Sequence, residues 1–351
     1  MLLNFKFMIN LSLRKLQNIS TITAVIFLLL TCSCSTEYKR ISVEGVALGT
    51  FYNIHYYNTD EINYKFQIDS LLEEFNKTAS IYDNASIISN INNNISMTTN
   101  EMFRDIFNKS MQISKLSEGA FDITVSPLVN AWGFGLSDTI NVSQELTDSV
   151  IEFVGYKLIS IENDLVIKQN PLTTINMNGI AKGYAVDLIA EFLEKKEIYS
   201  YIVEIGGEIK AGKNKPDGSK WVVAIEKPAP HFLTPQEEHK RIYINDIAMA
   251  TSGSYRNYIE KDGKKYSHTI DPFTGYPVSH SLLNVTVLAK DCITADALAT
   301  AFMVLGVEKS IDICESLQDI EAYFISAGKN DNWEIKATSG FKKFLKYPKN
   351  K

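Results

Sequence analysis

Residues 282–306 read LLNVTVLAKDCITADALATAFMVLG. The first eight, rich in Leu, Val and Thr, read as a strand. TADALATAFMVL (294–305) reads as a helix capped by Thr294 and stopped by Gly306. A further β run, EAYFIS, follows at 321–326. Upstream, FYNIHYY (51–57) alternates and predicts a strand. IDSLLEEFNKTASIY (68–82) places Ile68, Leu71, Leu72 and Phe75 at helical spacing. A second helix starts at about Asn100, a good N-cap, turns Met102, Phe103, Ile106, Phe107 and Met111 inward, and is ended by Gly119. KLISIENDLVIKQN (157–170) predicts a hairpin turning at Asn163-Asp164, and GIAKGYAVDLIAEFLEKK (179–196) a helix. YIVEIG (201–206), KWVVAIEKP (220–228) and RIYIN (241–245) predict strands. KDGKKY (261–266) carries an Asp-Gly hairpin signal. Three stretches read as irregular: a polar lead at 35–45 (STEYKRISVEG), an Asn-rich surface loop at 83–97, and a basic tail at 341–351. Strands and helices are mixed rather than strictly alternating, which points to an α+β fold over a doubly wound sheet.

The chain has 351 residues, 45% of them hydrophobic and 22% charged, with a net charge of −6. That balance fits a globular protein. It leaves no surplus basic face, which argues against a nucleic-acid partner.

The N-terminal 33 residues differ from the rest. Lys6, Arg14 and Lys15 precede the weakly polar and apolar run TITAVIFLLLT, which is too short to span a bilayer and reads as a secretory signal. The start lies at Met1 or Met8. TCSCS follows, and a Cys there resembles the lipobox of bacterial lipoproteins, with Cys34 preferred over Cys32. Thr31 departs from the Leu usual three positions before the Cys. The alternative is plain secretion. The expected organisation is a signal peptide at 1–33, a short lead at 34–43 and one large domain at 44–346. The remaining cysteines, Cys292 and Cys314, either pair or serve as separate small hydrophobes; no CxxC or Cys/His spacing suggests zinc.

No P-loop, no G-x-G-x-x-G opening a helix and no G-x-S-x-G elbow occurs. Asp296 and Thr300 lie one turn apart on one helix face and offer hard oxygen ligands suited to Mg²⁺ or Ca²⁺. The alternative is that Asp296 simply complements the helix dipole. Glycines flank Lys182 at a helix start, which is either an anion site or a glycine turn with a solvated lysine. Gly206 and Gly207 in EIGGEIKAG (204–212) permit a close backbone approach or a plain turn. Tyr82, Phe121, Trp132 and Phe134 sit in loop-like text, either capping the core or stacking on a flat ligand. YSHTIDPFTGYP (266–277) sets His268 among turn-forming residues. His268 is either a general base, with Asp271 able to orient it, or a loop histidine bonded to a carbonyl.

Taken together, ALGT (47–50), GAFDITVSPLVNAWGFG (119–135), NGIAKGYAVD (178–187), EIGGEIKAG, ATSGSYRNY (250–258), YSHTIDPFTGYPV (266–278) and TADALATAFMVLG (294–306) resemble the ApbE-type flavin transferases, in the family's order. The resemblance runs from about Val46 to Gly306. It implies a single ApbE-type domain, with FAD as substrate and Mg²⁺ as cofactor, that moves FMN from FAD to a threonine hydroxyl and releases AMP. It implies metal ligands at Gly179, Asp296 and Thr300, and flavin contacts at Leu48, Tyr82, Ala120, Phe121, Asp122, Asn176, Lys182 and Ile270. His268 is the motif histidine. The implied partner carries a Ser/Thr-Gly-Ala-Thr type motif, often in a membrane redox complex. The implied location is the bacterial cell envelope, outside the cytoplasm, with a lipid anchor in the inner membrane. Leu48 stands where Met is usual, a swap of similar volume. Asn176 stands where Asp is common and lacks its charge. Two other readings use the same residues: an FAD pyrophosphatase giving FMN and AMP, and a flavin-binding lipoprotein without chemistry.

Overall fold

Eight strands form one sheet whose spatial order follows the chain. The computed structural model describes residues 37–134, 144–228, 238–254, 258–261, 264–329 and 332–345. Two units are distinguished, Met1–Lys39 and Arg40–Lys351, and the sheet belongs to the second. Its strands, numbered along the chain, are β1 (Lys39–Ala47), β2 (Thr50–Asn58), β3 (Tyr201–Ile205), β4 (Glu208–Ala211), β5 (Ile247–Gly253), β6 (Leu282–Ala289), β7 (Glu321–Ala327) and β8 (Trp333–Ala337). Every pairing from β2 to β8 is antiparallel. Three hairpins stand apart from it: Ile159–Glu162 with Leu165–Lys168, Trp221–Glu226 with Glu238–Ile244, and Tyr258–Lys261 with Lys264–Ser267.

The period-two pattern of the strands divides two cores. Tyr52, Ile54 and Tyr56 of β2 and Tyr201, Val203 and Ile205 of β3 face the larger core. Its other side is made by α1 (Lys65–Ala79), α2 (Ile87–Asn92), α3 (Glu101–Leu116), α6 (Ala181–Lys195) and α7 (Cys292–Leu305). Between α3 and α6 in sequence lie the short helices α4 (Ser126–Ala131) and α5 (Gln144–Val150), and α8 (Val307–Ser316) follows α7. On the opposite sheet face, Ile209, Met249, Leu288, Tyr323 and Ile325 pack under the Trp221–Ile244 hairpin and a 3₁₀ turn at Ser339–Phe344. α7 is apolar around most of its surface and buried, as a central helix must be.

Several expectations hold in detail. Asn100 Oδ1 accepts from Phe103 N at 2.8 Å and caps α3. Asn163 and Asp164 both take positive φ at the tip of the 159–168 hairpin, the geometry of a tight β-turn. Four expectations are corrected. α7 begins at Cys292, not Thr294, because Asp291 Oδ1 accepts from Thr294 N at 2.9 Å and takes the cap. The Asn-rich 83–97 stretch contains α2, capped by Ser86, since Ile88 and Ile91 are fully buried. β1 begins at Lys39, inside the stretch read as a polar lead. The start of the basic tail buries Phe341 and Phe344. The signal region, Cys32, Cys34, the Asp262-Gly263 turn and residues 346–351 lie outside the described residues. Cys292 and Cys314 are both buried free thiols, so the reading as separate hydrophobes holds.

Candidate active site

The N-terminus of α6 and the face of α7 meet at the closest helix contact of the site. Gly183 N donates to Asp296 Oδ2 at 2.9 Å. A Cβ at Gly183 would lie 2.4 Å from the Cys292 carbonyl oxygen and 2.7 Å from Asp296 Cβ, so only glycine admits this approach. One turn further along, Asp187 accepts from Ile293 N at 2.8 Å and from Lys210 Nζ at 3.1 Å, which ties α6 to the start of α7 a second time. Thr300 Oγ1 donates to the Gly179 carbonyl at 3.2 Å.

These contacts gather charge. Lys182 Nζ stands 2.6 Å from Glu208 Oε2, and Glu208 is 2% exposed. Asp296 is 4% exposed. Two buried carboxylates thus share one ammonium. Burial lifts the Glu208 carboxyl to about 7; Lys182 pulls it down and Asp296 pushes it further up. Burial also raises Asp296, against the pull of Lys182 and of the Gly183 N–H. Burial pulls Lys182 down, but Glu208 and Asp296 together hold it above its ordinary value. With both carboxyls ionised the cluster carries one net negative charge, which a bound cation would offset.

The oxygens present fit a hard cation. Asp296, Thr300 and the Gly179 carbonyl are the donor types Mg²⁺ takes, and neighbouring ligands on an octahedron of ~2.0–2.1 Å bonds lie about 2.9 Å apart. The 3.2 Å between Thr300 Oγ1 and Gly179 O is close to that spacing. Among the described residues no group of three or more His, Cys, Asp or Glu forms a metal cluster. A set built from one carboxylate, one hydroxyl and one carbonyl is a different kind of site.

This corner opens into a cavity of about 1640 Å³, whose walls also include Tyr82, Ala120, Phe121, Asp122, Asn176, His268 and Ile270. Tyr82 is 71% exposed and stands at the cavity wall. Phe121 and Trp132 are buried and belong to the core. Asp122 organises its own loop: Oδ1 accepts from Thr124 N at 2.7 Å and Oδ2 from Tyr156 N at 2.6 Å. Burial raises its carboxyl, with those donors opposing. Asn176 Oδ1 accepts from Asn178 N at 2.9 Å, an Asx turn leading into α6. Leu48 occupies the β1–β2 turn at φ 53° and packs against the core; Gly49 and Thr50 form the cavity wall there.

His268 lies on the cavity wall with its ring 6.2 Å from that of Phe134, edge to face. Its loop is a turn stitched on itself. Asp271 N donates to Tyr276 O at 2.9 Å, Val278 N to Thr269 O at 3.0 Å, and Phe273 N to Asp271 Oδ1 at 2.9 Å. Asp271 therefore shapes the turn. Trp132 Nε1 donates to Gly275 O at 2.8 Å and pins the loop to the end of α4.

Sequence reasoning missed Glu208. The available signal was an acid at an inward-facing strand position directly after Gly206-Gly207, but its partner lies 26 positions upstream on another element. It also missed Asp187, which reads as one more polar residue of α6.

Residues 48–324 match the ApbE family. The chain belongs to that family. It is 37% identical to an FAD:protein FMN transferase of Vibrio cholerae serotype O1 (strain ATCC 39541 / Classical Ogawa 395 / O395), over 92% of this chain and 98% of that protein. It is 33% identical to one of Escherichia coli (strain K12), over 90% of this chain and 92% of that protein. The solved flavin transferase ApbE from Vibrio cholerae superposes with a TM-score of 0.79 at 36% identity, covering 88% of this chain and all of that one. The architecture above is thus a single ApbE-type domain of mixed helices and strands.

Proposed function

We propose that this chain transfers the FMN half of FAD to a threonine hydroxyl of an acceptor protein and releases AMP. The observation that carries the reading is one cavity holding a buried Lys182–Glu208–Asp296 cluster beside the exposed ring of Tyr82 and the imidazole of His268. In the transfer, the threonine oxygen forms a bond to the phosphorus of the FMN phosphate. The pyrophosphate P–O bond breaks, and its electron pair leaves with AMP. The hydroxyl proton goes to His268. Lys182, held by Glu208, faces the phosphate oxygens and offsets their charge. Asp296, Thr300 and the Gly179 carbonyl would hold Mg²⁺, which supplies Lewis-acid stabilisation of phosphate charge when bound. Tyr82 would stack on the isoalloxazine or the adenine.

The test is incubation with FAD, Mg²⁺ and a peptide of the Ser-Gly-Ala-Thr type, followed by mass spectrometry. A peptide heavier by one FMN less one water, with AMP released in equal amount, is expected. Release of FMN and AMP with an unmodified peptide would make the protein a pyrophosphatase instead. The supporting comparison is the name its curated relatives carry.

The same reading extends to the cell envelope. The basic and apolar N-terminal stretch followed by Cys34 supports lipid anchoring, with the catalytic domain outside the cytoplasm and a membrane redox complex as acceptor. Mass spectrometry of membrane-extracted protein is expected to find Cys34 acylated as the first residue. An unmodified terminus downstream of Cys34 would refute the anchor.

A further inference from the structure

The cavity does not end at the charged cluster. At about 1640 Å³ it exceeds the roughly 300–1,000 Å³ of an ordinary ligand pocket. Past Thr50 and the Gly206-Gly207 turn it continues as a trough along the sheet face that carries no helices. Its floor is the outward side of β2 and β3. Asn53, His55 and Tyr57 of β2 and Ile202 and Glu204 of β3 line it at alternate positions, as strands do when they present a face.

The wall behaves differently. Trp221, Val222, Val223 and Ala224 line the cavity consecutively, although Val223 is buried in the core below and Val222 is 46% exposed on the other side. A strand that shows a cavity its consecutive residues presents its edge. Among the described residues, Trp221–Ile225 pairs with no strand but Glu238–Ile244, so its edge toward the trough carries no second strand, and only beyond it does the Glu226 carbonyl accept from Asn284 Nδ2 at 3.5 Å. In the floor, Asn53 Oδ1 is buried and without a hydrogen-bond partner. Phe51, 78% exposed, marks the floor where the trough meets Thr50.

An unpaired strand edge over a half-polar floor, continuous with the reacting centre, fits an extended polypeptide. Resting on the transfer reading above, we infer that the acceptor segment docks as an added strand against the edge of Trp221–Ile225, lying over β2 and β3. Its backbone supplies the affinity, and its side chains alternate between the floor and solvent. The reactive threonine then enters the site from the Gly206-Gly207 end. Such docking would let the enzyme modify any exposed segment that can become extended, with sequence demanded only near the hydroxyl.

The experiment separates docking from chemistry. A fluorescein-labelled Ser-Gly-Ala-Thr peptide is titrated with FAD-saturated protein and its polarisation followed. A peptide series then carries one N-methyl group at each backbone nitrogen in turn. We expect saturable binding that weakens tenfold or more at alternate nitrogens and less than twofold at the ones between, because a strand points alternate N–H groups at its neighbour. Hydrogen exchange is expected to slow within Trp221–Glu226 when the peptide is added. No saturable binding, tolerance at every nitrogen, losses without the period of two, or protection confined to other segments would each overturn the inference. FMN transfer to the unmethylated peptide is measured alongside. Transfer without the alternating pattern leaves the activity standing and removes the docking mode; the alternating pattern without transfer does the reverse.

Discussion

His268 is placed by its turn, and its surroundings set what it can do. It shares the cavity with Lys182 and Asp296, and Phe134 packs at its ring edge. A general base must be free to accept a proton, so the neutral imidazole is the form transfer needs. His268→Ala is expected to lose about 10²–10⁴-fold in transfer rate. FAD affinity, measured in parallel by flavin fluorescence, is expected to move little, because the phosphate contacts proposed above sit on α6 and α7. A variant that binds FAD poorly yet transfers normally at saturation would make His268 a binding residue. The two cysteines give a second test at this scale. Burial lifts the Cys314 thiol from its ordinary 9.0 to about 12, and burial also raises Cys292 well above its ordinary value. Because the folded pKa is raised, the protonated thiol is favoured. Its contribution to stability is complete below about 9 and fades as pH climbs toward 12. At pH 8 neither thiol is expected to react with iodoacetamide until the chain is denatured, and both should then label fully. Labelling of the native protein at either position would refute the burial.

At the scale of elements, the α6–α7 contact determines the shape of the site. Gly183→Ala would place a methyl carbon 2.4 Å from a backbone oxygen and 2.7 Å from Asp296 Cβ. Neither can give way cheaply, since one is backbone and the other belongs to a buried carboxylate. Overpacking of this kind costs about 1–3 kcal/mol or more. The helices must part, and Gly183 N then loses Asp296 Oδ2. A lower Tm together with weakened Mg²⁺ dependence of transfer is expected; an unchanged Tm would show that the contact is looser than drawn. Such contacts explain what the sequence could and could not reveal. The Asn100 cap and the Asn163-Asp164 turn were legible because each is decided within three or four residues. Asp296 and Thr300 were legible as a pair for the same reason, lying one turn apart. The α7 start differs by two residues from the sequence reading because two candidates for the cap, Asp291 and Thr294, lie three positions apart and only the fold shows that Asp291 Oδ1 accepts from Thr294 N. The helix at Ile87–Asn92 was hidden by its asparagines, although two buried isoleucines decide it. Glu208 with Lys182, and Trp132 with Gly275, join residues distant in sequence, and no local pattern announces such pairs.

For the molecule as a whole, the reacting centre is assembled from pieces that meet only in the fold. α6, α7 and the start of β4 carry the charged cluster, while the histidine loop is fastened elsewhere. Leu128, Trp132 and Ile270 form a small separate core, Trp132 packs edge-on to Tyr276 at 5.7 Å, and Trp132 Nε1 holds Gly275 O at 2.8 Å. The loop thus takes part of its position from a segment more than a hundred residues earlier. The two halves should then be separable by mutation. Trp132→Phe keeps an aromatic ring but removes the donor, leaving the Gly275 carbonyl buried and short of a partner, at a cost of about 1–3 kcal/mol concentrated in the loop. A displacement of about 1 Å in a catalytic group can cost two orders of magnitude in rate. We therefore expect kcat for transfer to fall about tenfold or more, while the affinity for FAD changes less than threefold and Mg²⁺ dependence keeps its midpoint. Steady-state kinetics with FAD and peptide varied separately, beside direct FAD titration, make the comparison. A parallel loss of FAD affinity would mean that the loop and the charged cluster form one binding unit, and that His268 is positioned by the flavin as much as by Trp132.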